Sequence, residues 1–84
     1  GDYAYVADDR YGLVIVDISD PANPQQVGRL DTGGWAEDVV ISGDYAYVAN
    51  WGNGLVIVDI SNPNMPQLVA DMLWITIHGV SVAQ

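Results

Sequence analysis

GLVIVDIS occupies residues 12–19, and the same eight residues occur again at residues 54–61. The two copies are 42 positions apart, and at that spacing residues 1–42 align on residues 43–84 without a gap. A self-match at a fixed period indicates a repeat architecture. The chain is therefore predicted to be two tandem repeats, residues 1–42 and 43–84, with no linker and no separate second domain.

The residue types inside each repeat decide its secondary structure. A period in the low forties fits either helical HEAT-type repeats or four-stranded propeller blades. The repeated GDYAYVA (residues 1–7 and 43–49) and LVIV segments are short, aromatic and β-branched, and Gly, Asp, Asn and Pro bound them. That composition is typical of strands, and no window of ten residues has helical periodicity. The sequence predicts an all-β protein.

Four strands are predicted in each period. In the first period they run roughly over Asp2–Ala7, Leu13–Ser19, Gln25–Asp31 and Glu37–Ser42. The step from Ser42 through Gly43 suits a tight hairpin with glycine at positive φ, and a proline-rich loop joins the second strand to the third. Consecutive hairpins make each period an antiparallel meander.

The second strand of each repeat is apolar at every position, from Leu13 to Val16 and from Leu55 to Val58. An antiparallel strand that is apolar on both faces needs cover on both faces. Sheets stacked face to face around an axis supply that cover. The predicted fold is an all-β β-propeller with two four-stranded antiparallel blades per chain, its ring completed by homo-oligomerisation.

The repeated strand segments resemble the LVIVD repeat family, whose naming motif stands at residues 13–17 and 55–59. The resemblance covers both halves of the chain. It implies a β-propeller of the kind found in bacteria and archaea, often secreted or on the cell surface, with no catalytic activity attached to the motif. The residues themselves do not reveal localisation.

By resemblance to propellers, the innermost strand is the one before the Gly43 turn. Residues 36–72 then form one whole blade, residues 1–31 form a blade without its inner strand, and residues 77–84 form an inner strand without its blade. We expect each chain to give this strand to the next in a ring of three, four or five copies, with six, eight or ten blades. The identity of the repeats and the start at Gly1 also suggest a truncated or engineered piece of a longer propeller.

The first strand and the last segment are predicted to form the contact between copies. Their residues are Asp2, Tyr3, Ala4, Tyr5, Val6, Ala7, Ile77, His78, Gly79, Val80, Ser81, Val82, Ala83 and Gln84. Two registers of the last strand remain open: the ungapped alignment keeps two whole periods, whereas a slip of one residue matches residues 80–83 better to residues 39–42. Such a slip moves every side chain to the other face of the sheet.

The charge is strongly one-sided. Eleven acidic residues oppose only Arg10 and Arg29, which gives a formal net charge of −9. A surface this acidic repels nucleic-acid backbones and anionic membranes, and is compatible with cations, sugars or basic proteins. The interpretation that we favour is that the excess of acidic residues simply keeps the chain soluble. There is no cysteine, no lysine and no catalytic motif, so neither an enzyme nor a cofactor is predicted.

The repeats diverge at residues 8–11 against 50–53 and at residues 31–38 against 73–80. In a propeller both regions lie on one rim of the ring, where an indole beside polar groups suits a carbohydrate or a protein ligand. For the divergence itself we favour the alternative that loop sequences drift faster than strand sequences. For Trp35 and Trp74 we favour the alternative that they fill gaps between blades. The rim candidates are Trp35, Trp51, Trp74, Tyr11, Asp8 and Asp9.

Glu37, Asp38 and His78 open predicted inner strands, so ring symmetry would collect their side chains around the axis. Carboxylates there could hold a hard cation and histidine a transition metal, but a solvated, like-charged channel is the favoured interpretation. Asp17 and Asp59 are predicted to stabilise turns rather than to bind a ligand.

Overall fold

The computed structural model describes residues 2–52, 54–72 and 80–81. Those residues form strands and turns, with no helix among them. The strands are β1 (Tyr3–Ala7), β2 (Leu13–Asp17), β3 (Gln25–Leu30), β4 (Trp35–Ser42), β5 (Tyr45–Trp51), β6 (Gly54–Asp59) and β7 (Gln67–Met72).

The strands form two antiparallel sheets, one of three strands in the order β1-β2-β3 and one of four in the order β4-β5-β6-β7. The predicted all-β fold and the antiparallel meanders are confirmed. The sheets divide between β3 and β4, as the predicted position of the innermost strand requires. The first sheet is not a complete four-stranded blade, because the described part of the chain provides no strand on the free edge of β1.

The strand limits differ from the predicted ones by one or two residues, for local reasons. Strand β2 stops at Asp17 because the Asp17 carboxylate accepts a hydrogen bond from the Ser19 backbone N–H at 2.8 Å and turns the chain. Strand β4 begins at Trp35 because Ala36 exchanges two backbone hydrogen bonds with Asp9, at 2.8 and 3.0 Å. The predicted positive φ at Gly43 is confirmed, at 58°.

The two sheets pack face to face, and we call this contact the internal junction. Leu13 and Ile15 of the first sheet are fully buried, at 0% exposed. They pack in one cluster with Val48, Val56 and Val58 of the second sheet, which are at most 1% exposed. Burial of the apolar surface on these side chains is the main source of stability for the junction.

The identical LVIV segments bury opposite faces. In β2 the fully buried residues are Leu13 and Ile15, whereas their counterparts in β6, Leu55 and Ile57, are only half-buried. The difference arises because each sheet has one neighbour instead of two. Each sheet therefore keeps a second apolar face that no described residue covers fully.

These two faces are defined by the repeat. The N-terminal face consists of residues 42 positions before buried members of the core in the second sheet. The C-terminal face consists of residues 42 positions after Tyr5, Leu13, Ile15, Val27 and Leu30, which belong to the core cluster or pack against it. The N-terminal face is Ala4, Val6, Val14, Val16 and Ile18. The C-terminal face is Tyr47, Leu55, Ile57, Val69 and Met72. Among these ten only Val14 is buried, so both faces remain partly open to solvent.

Candidate functional site

Strand β3 and the proline loop of the second repeat approach each other closely within the internal junction. A Cβ atom at Gly28 would overlap the carbonyl oxygen of Pro63 and lie 3.2 Å from Cδ of Pro66. Gly34 has the same constraint, because a Cβ there would overlap the carbonyl oxygen of Trp51. Only glycine fits at these two positions, since in both cases the obstacle is backbone.

A buried pair of polar residues also ties the two sheets together. Thr32, in the segment between β3 and β4, donates its hydroxyl hydrogen to Oδ1 of Asn50 at 2.8 Å. In return Nδ2 of Asn50 donates to the Thr32 carbonyl oxygen at 2.7 Å. Asn50 is 0% exposed and Thr32 is 5% exposed, so neither can exchange these bonds for water without opening the junction. The sequence analysis missed both residues.

The last segment belongs, with the free edge of β1, to the predicted contact between copies. Val80, one of the two residues described beyond β7, donates its backbone N–H to Oδ2 of Asp38 at 3.2 Å. Val80 stands 42 positions after Asp38, so the bond joins equivalent points of successive repeats. The other predicted contact residues of the last segment, at positions 77–79 and 82–84, lie outside the described residues.

The two variable regions meet at Trp35 and Trp51. These residues are cross-strand partners at the end of the β4–β5 pair, with ring centroids 5.1 Å apart and ring planes inclined by 53°. Each is 43% exposed. The exposed Tyr11 ring is flanked by two guanidinium groups, with the Cζ atom of Arg10 at 5.4 Å and that of Arg29 at 6.0 Å from the ring centroid. Trp74 lies outside the described residues.

Asp8 and Asp9 contribute to the loop between β1 and β2 through their backbone. The Asp8 N–H donates to the Gly12 carbonyl oxygen and the Asp8 carbonyl accepts from Tyr11, both at 2.8 Å. Asp9 adopts a φ of 49° and pairs with Ala36. Positive φ is uncommon for a residue other than glycine, and aspartate tolerates it better than most.

A cavity of about 290 Å³ lies beside the tryptophan pair. Arg10, Asp31, Gly33, Gly34 and Trp35 line it. The Asp31 carboxylate accepts a hydrogen bond from the Gly33 N–H at 2.9 Å. An indole face beside a guanidinium and a carboxylate can combine stacking with directional hydrogen bonds to a polar ligand.

Glu37, Asp38 and His78 are the candidates predicted to lie around the ring axis. Among the described residues, these side chains do not form a metal site. Glu37 is exposed and Asp38 is half-buried, and His78 lies outside the described part of the chain. No group of three or more His, Asp or Glu side chains that could hold a metal ion occurs among the residues described. The Asp38 carboxylate instead accepts hydrogen bonds from the Val39 and Val80 backbone, at 3.0 and 3.2 Å.

Asp17 and Asp59 stabilise turns, as predicted. They accept hydrogen bonds from the backbone N–H groups of Ser19 and Ser61, each at 2.8 Å. These backbone bonds, and then the serine hydroxyls, hold the pKa of both carboxyl groups below the ordinary value of 3.8. The repeated DIS sequence is therefore explained by one turn that each repeat makes after its second strand.

Comparison with known families agrees with the division into two sheets. The model of the LVIVD repeat matches residues 1–32 and again residues 33–73, so that each match covers one sheet. No curated protein and no solved structure matches the chain. In the described part of the chain, no helix has the length and apolar character to cross a membrane. The two matches span most of the sequence, and the chain belongs to the LVIVD repeat family.

Proposed function

We propose that the chain is a non-enzymatic scaffold whose activity is assembly, head to tail with further copies of itself, into a closed β-propeller. The observation that carries this proposal is the pair of open apolar faces. The C-terminal face repeats residues that the first sheet packs in the internal junction, with Met72 in place of Leu30, and the N-terminal face repeats those that the second sheet buries. The two faces of different copies are thus matched to each other by sequence.

The geometry of the contact favours a ring over a symmetric dimer. A surface that joins its own counterpart makes a closed pair, but here the N-terminal face of one copy matches the C-terminal face of another. A heterologous contact of this kind gives a ring when the rotation per copy divides a full turn. Left open, the faces would expose contiguous apolar surface at both ends of the chain, which invites aggregation.

Exchange of the last segment between copies is a second part of this proposal. The free edge of β1 lacks a strand partner among the described residues, and a backbone hydrogen bond to Asp38 holds Val80 beside β4. In a ring, residues 77–84 of one copy would pair with β1 of the next and complete its blade. If the chain is a piece of a longer propeller, neighbouring repeats of the same polypeptide would cover both faces instead.

The mass of the native particle tests this proposal. We expect native mass spectrometry and light scattering to give a whole number of chains between three and five, with dissociation on dilution as for any reversible association. A well-folded monomer at all accessible concentrations would show that the proposal is wrong.

A ligand-binding propeller is a second candidate, and the tryptophan pair favours it. Trp35 and Trp51 are in contact and remain partly exposed beside a cavity that Arg10 and Asp31 also line. The stacking faces and hydrogen-bonding groups suit a carbohydrate, whose C–H faces pack on indoles while its hydroxyls bind polar groups.

We expect a glycan-array ligand, if this candidate is right, to lose at least about tenfold in affinity in the Trp51→Ala variant, because half of the stacking platform is removed. Tyr45→Ala is the matched control. Tyr45 is an aromatic residue of similar exposure at the opposite end of β5, at 42%. Equal losses in both variants, or no glycan binding by the wild-type protein, would remove the support for this candidate.

A further inference from the structure

A backbone bridge sets two walls of the cavity beside the tryptophan pair. Asp9 and Ala36 exchange backbone hydrogen bonds at 2.8 and 3.0 Å. Arg10 follows Asp9 in the chain and Trp35 precedes Ala36, so the bridge brings both residues to the cavity that they line. Trp51 pairs with Trp35 across the strands, and their ring centroids are 5.1 Å apart. The Trp35 indole is therefore held in place before any ligand binds, which lowers the entropy cost of stacking on it.

A further wall of the cavity is the turn over residues 31–34, which is also fixed. Oδ1 of Asp31 accepts a hydrogen bond from the Gly33 N–H at 2.9 Å. A Cβ at Gly34 would overlap the carbonyl oxygen of Trp51, so the end of the turn lies directly against β5. Among the described residues, Oδ2 of Asp31 has no hydrogen-bond donor. The turn thus presents one carboxylate oxygen that can accept a hydrogen bond from a ligand.

The guanidinium group of Arg10 has no carboxylate partner in the described part of the chain. The sequence has eleven acidic residues and two arginines, yet neither arginine forms an ion pair with any described residue. Both guanidinium groups instead flank the Tyr11 ring, with the Cζ atoms of Arg10 and Arg29 at 5.4 and 6.0 Å from its centroid. Cation–π contacts of this kind leave the N–H donors of a guanidinium free for an anion. A strongly acidic chain therefore keeps its two arginine charges together and unpaired beside this cavity.

Three groups around the cavity suit three parts of one ligand. The forked N–H donors of Arg10 match the two oxygens of a carboxylate. The free oxygen of Asp31 can accept from a hydroxyl group, and the Trp35 face can pack against the C–H face of a sugar ring. Arg10 and Asp31 do not pair with each other, so both are available at once. The volume of about 290 Å³ is near the lower end of the range for small-molecule sites and suits a single sugar unit.

We propose that the cavity binds one sugar unit that carries a carboxylate, with the carboxylate on Arg10, a hydroxyl group on Asp31 and the ring stacked on Trp35. This inference rests on the ligand-binding candidate and names its ligand class, a hexuronic acid instead of a neutral sugar. All the lining residues belong to one chain and lie outside the N-terminal and C-terminal faces, so the site does not require assembly. Gly52 stands at the position of Arg10 in the second repeat, which therefore lacks this guanidinium group.

Tryptophan fluorescence of the full chain, titrated with sugars, tests the ligand class. The probes are methyl glucuronide and methyl galacturonide, each beside its neutral parent, in which a hydroxymethyl group replaces the carboxylate. The titrations use about 0.15 M salt, which screens repulsion from the net charge of −9. We expect at least one uronide to bind at least about tenfold more tightly than its parent, because a charge-assisted contact replaces a neutral one.

The failure of this inference is distinguishable from that of the ligand-binding candidate. Neutral sugars that bind as tightly as the uronides would overturn the inference and leave the candidate standing. If neither uronide binds, the inference is wrong, and the glycan array with the Trp51→Ala variant then decides the candidate separately.

Two arginine variants test whether Arg10 itself makes the contact. We expect Arg10→Gln to lower the affinity for the uronide at least about tenfold, to that of the neutral parent. Arg29→Gln is the matched control, because it removes the same charge from the other guanidinium at Tyr11 but does not line the cavity. Both arginines are exposed, and we expect the control to change the affinity by less than about threefold. Equal losses in the two variants would mean that overall charge attracts the uronide, and would overturn the assigned contact.

Discussion

A chain that lacks residues 77–84 is expected to stay monomeric at concentrations at which the full chain forms rings. The free edge of β1 has no strand partner among the described residues, and the truncation removes the segment proposed to fill it in the next copy. It also removes Val80, whose N–H bonds to Asp38. An unpaired inner edge leaves a row of backbone donors and acceptors without partners. Light scattering on both chains at equal concentration makes the measurement.

Rescue with a peptide distinguishes strand exchange from general destabilisation. A synthetic peptide of residues 77–84, added in excess to the truncated chain, is expected to bind the β1 edge and restore part of the assembly. A peptide of the same composition in scrambled order is the control, since it keeps the backbone hydrogen bonds but not the side-chain register. Rings formed by the truncated chain alone would contradict the exchange of this segment.

The repeat made most of the local structure predictable. The LVIVD segments predicted β2 and β6, and the DIS sequence predicted the turns at Asp17 and Asp59, because these features depend on residues a few positions apart. The division of the chain into sheets followed from the resemblance to propellers, which places the innermost strand before the Gly43 turn. In each case the relevant interactions are local or are repeated in both halves.

The packing of the sheets was harder to predict for the opposite reason. Leu13 and Leu55 occupy identical sequence contexts yet differ in burial, because burial depends on which neighbour a sheet has. The bond between Thr32 and Asn50 joins residues 18 positions apart and exists only once the sheets dock. The available signal was the difference between repeats: Asn50 replaces Asp8 and Thr32 stands in place of Trp74. Divergence inside a buried contact is as informative as divergence at a rim.

The Asn50→Asp variant is expected to lose about 3 kcal/mol of unfolding free energy at pH 7. The substitution removes the amide that donates to the Thr32 carbonyl oxygen and places a negative charge against that oxygen. Because residue 50 is 0% exposed, water cannot compensate for either change. Urea denaturation of the variant and wild-type proteins, below the concentration for assembly, measures the loss.

The same variant has a pH dependence with a definite sign. Burial raises the pKa of the introduced carboxyl group in the folded state above its unfolded value of about 3.9. The folded state then binds more protons than the unfolded state between those two values, so the stability of the variant relative to wild type falls as the pH rises through that window. The loss is therefore expected to be smaller at pH 4 than at pH 7. At pH 4 the protonated carboxyl group can donate to the Thr32 carbonyl oxygen, and the carboxylate that forms as the pH rises cannot.

Asp8→Asn is the matched control, because it exchanges the same two residue types at the equivalent position of the first repeat. Asp8 is exposed, so this change is expected to alter stability by less than about 0.5 kcal/mol at either pH. Equal losses for Asn50→Asp at pH 4 and pH 7 would mean that the lost amide, and not the buried charge, dominates. A loss as small as that of the control would mean that the bond between Thr32 and Asn50 does not hold the two sheets together.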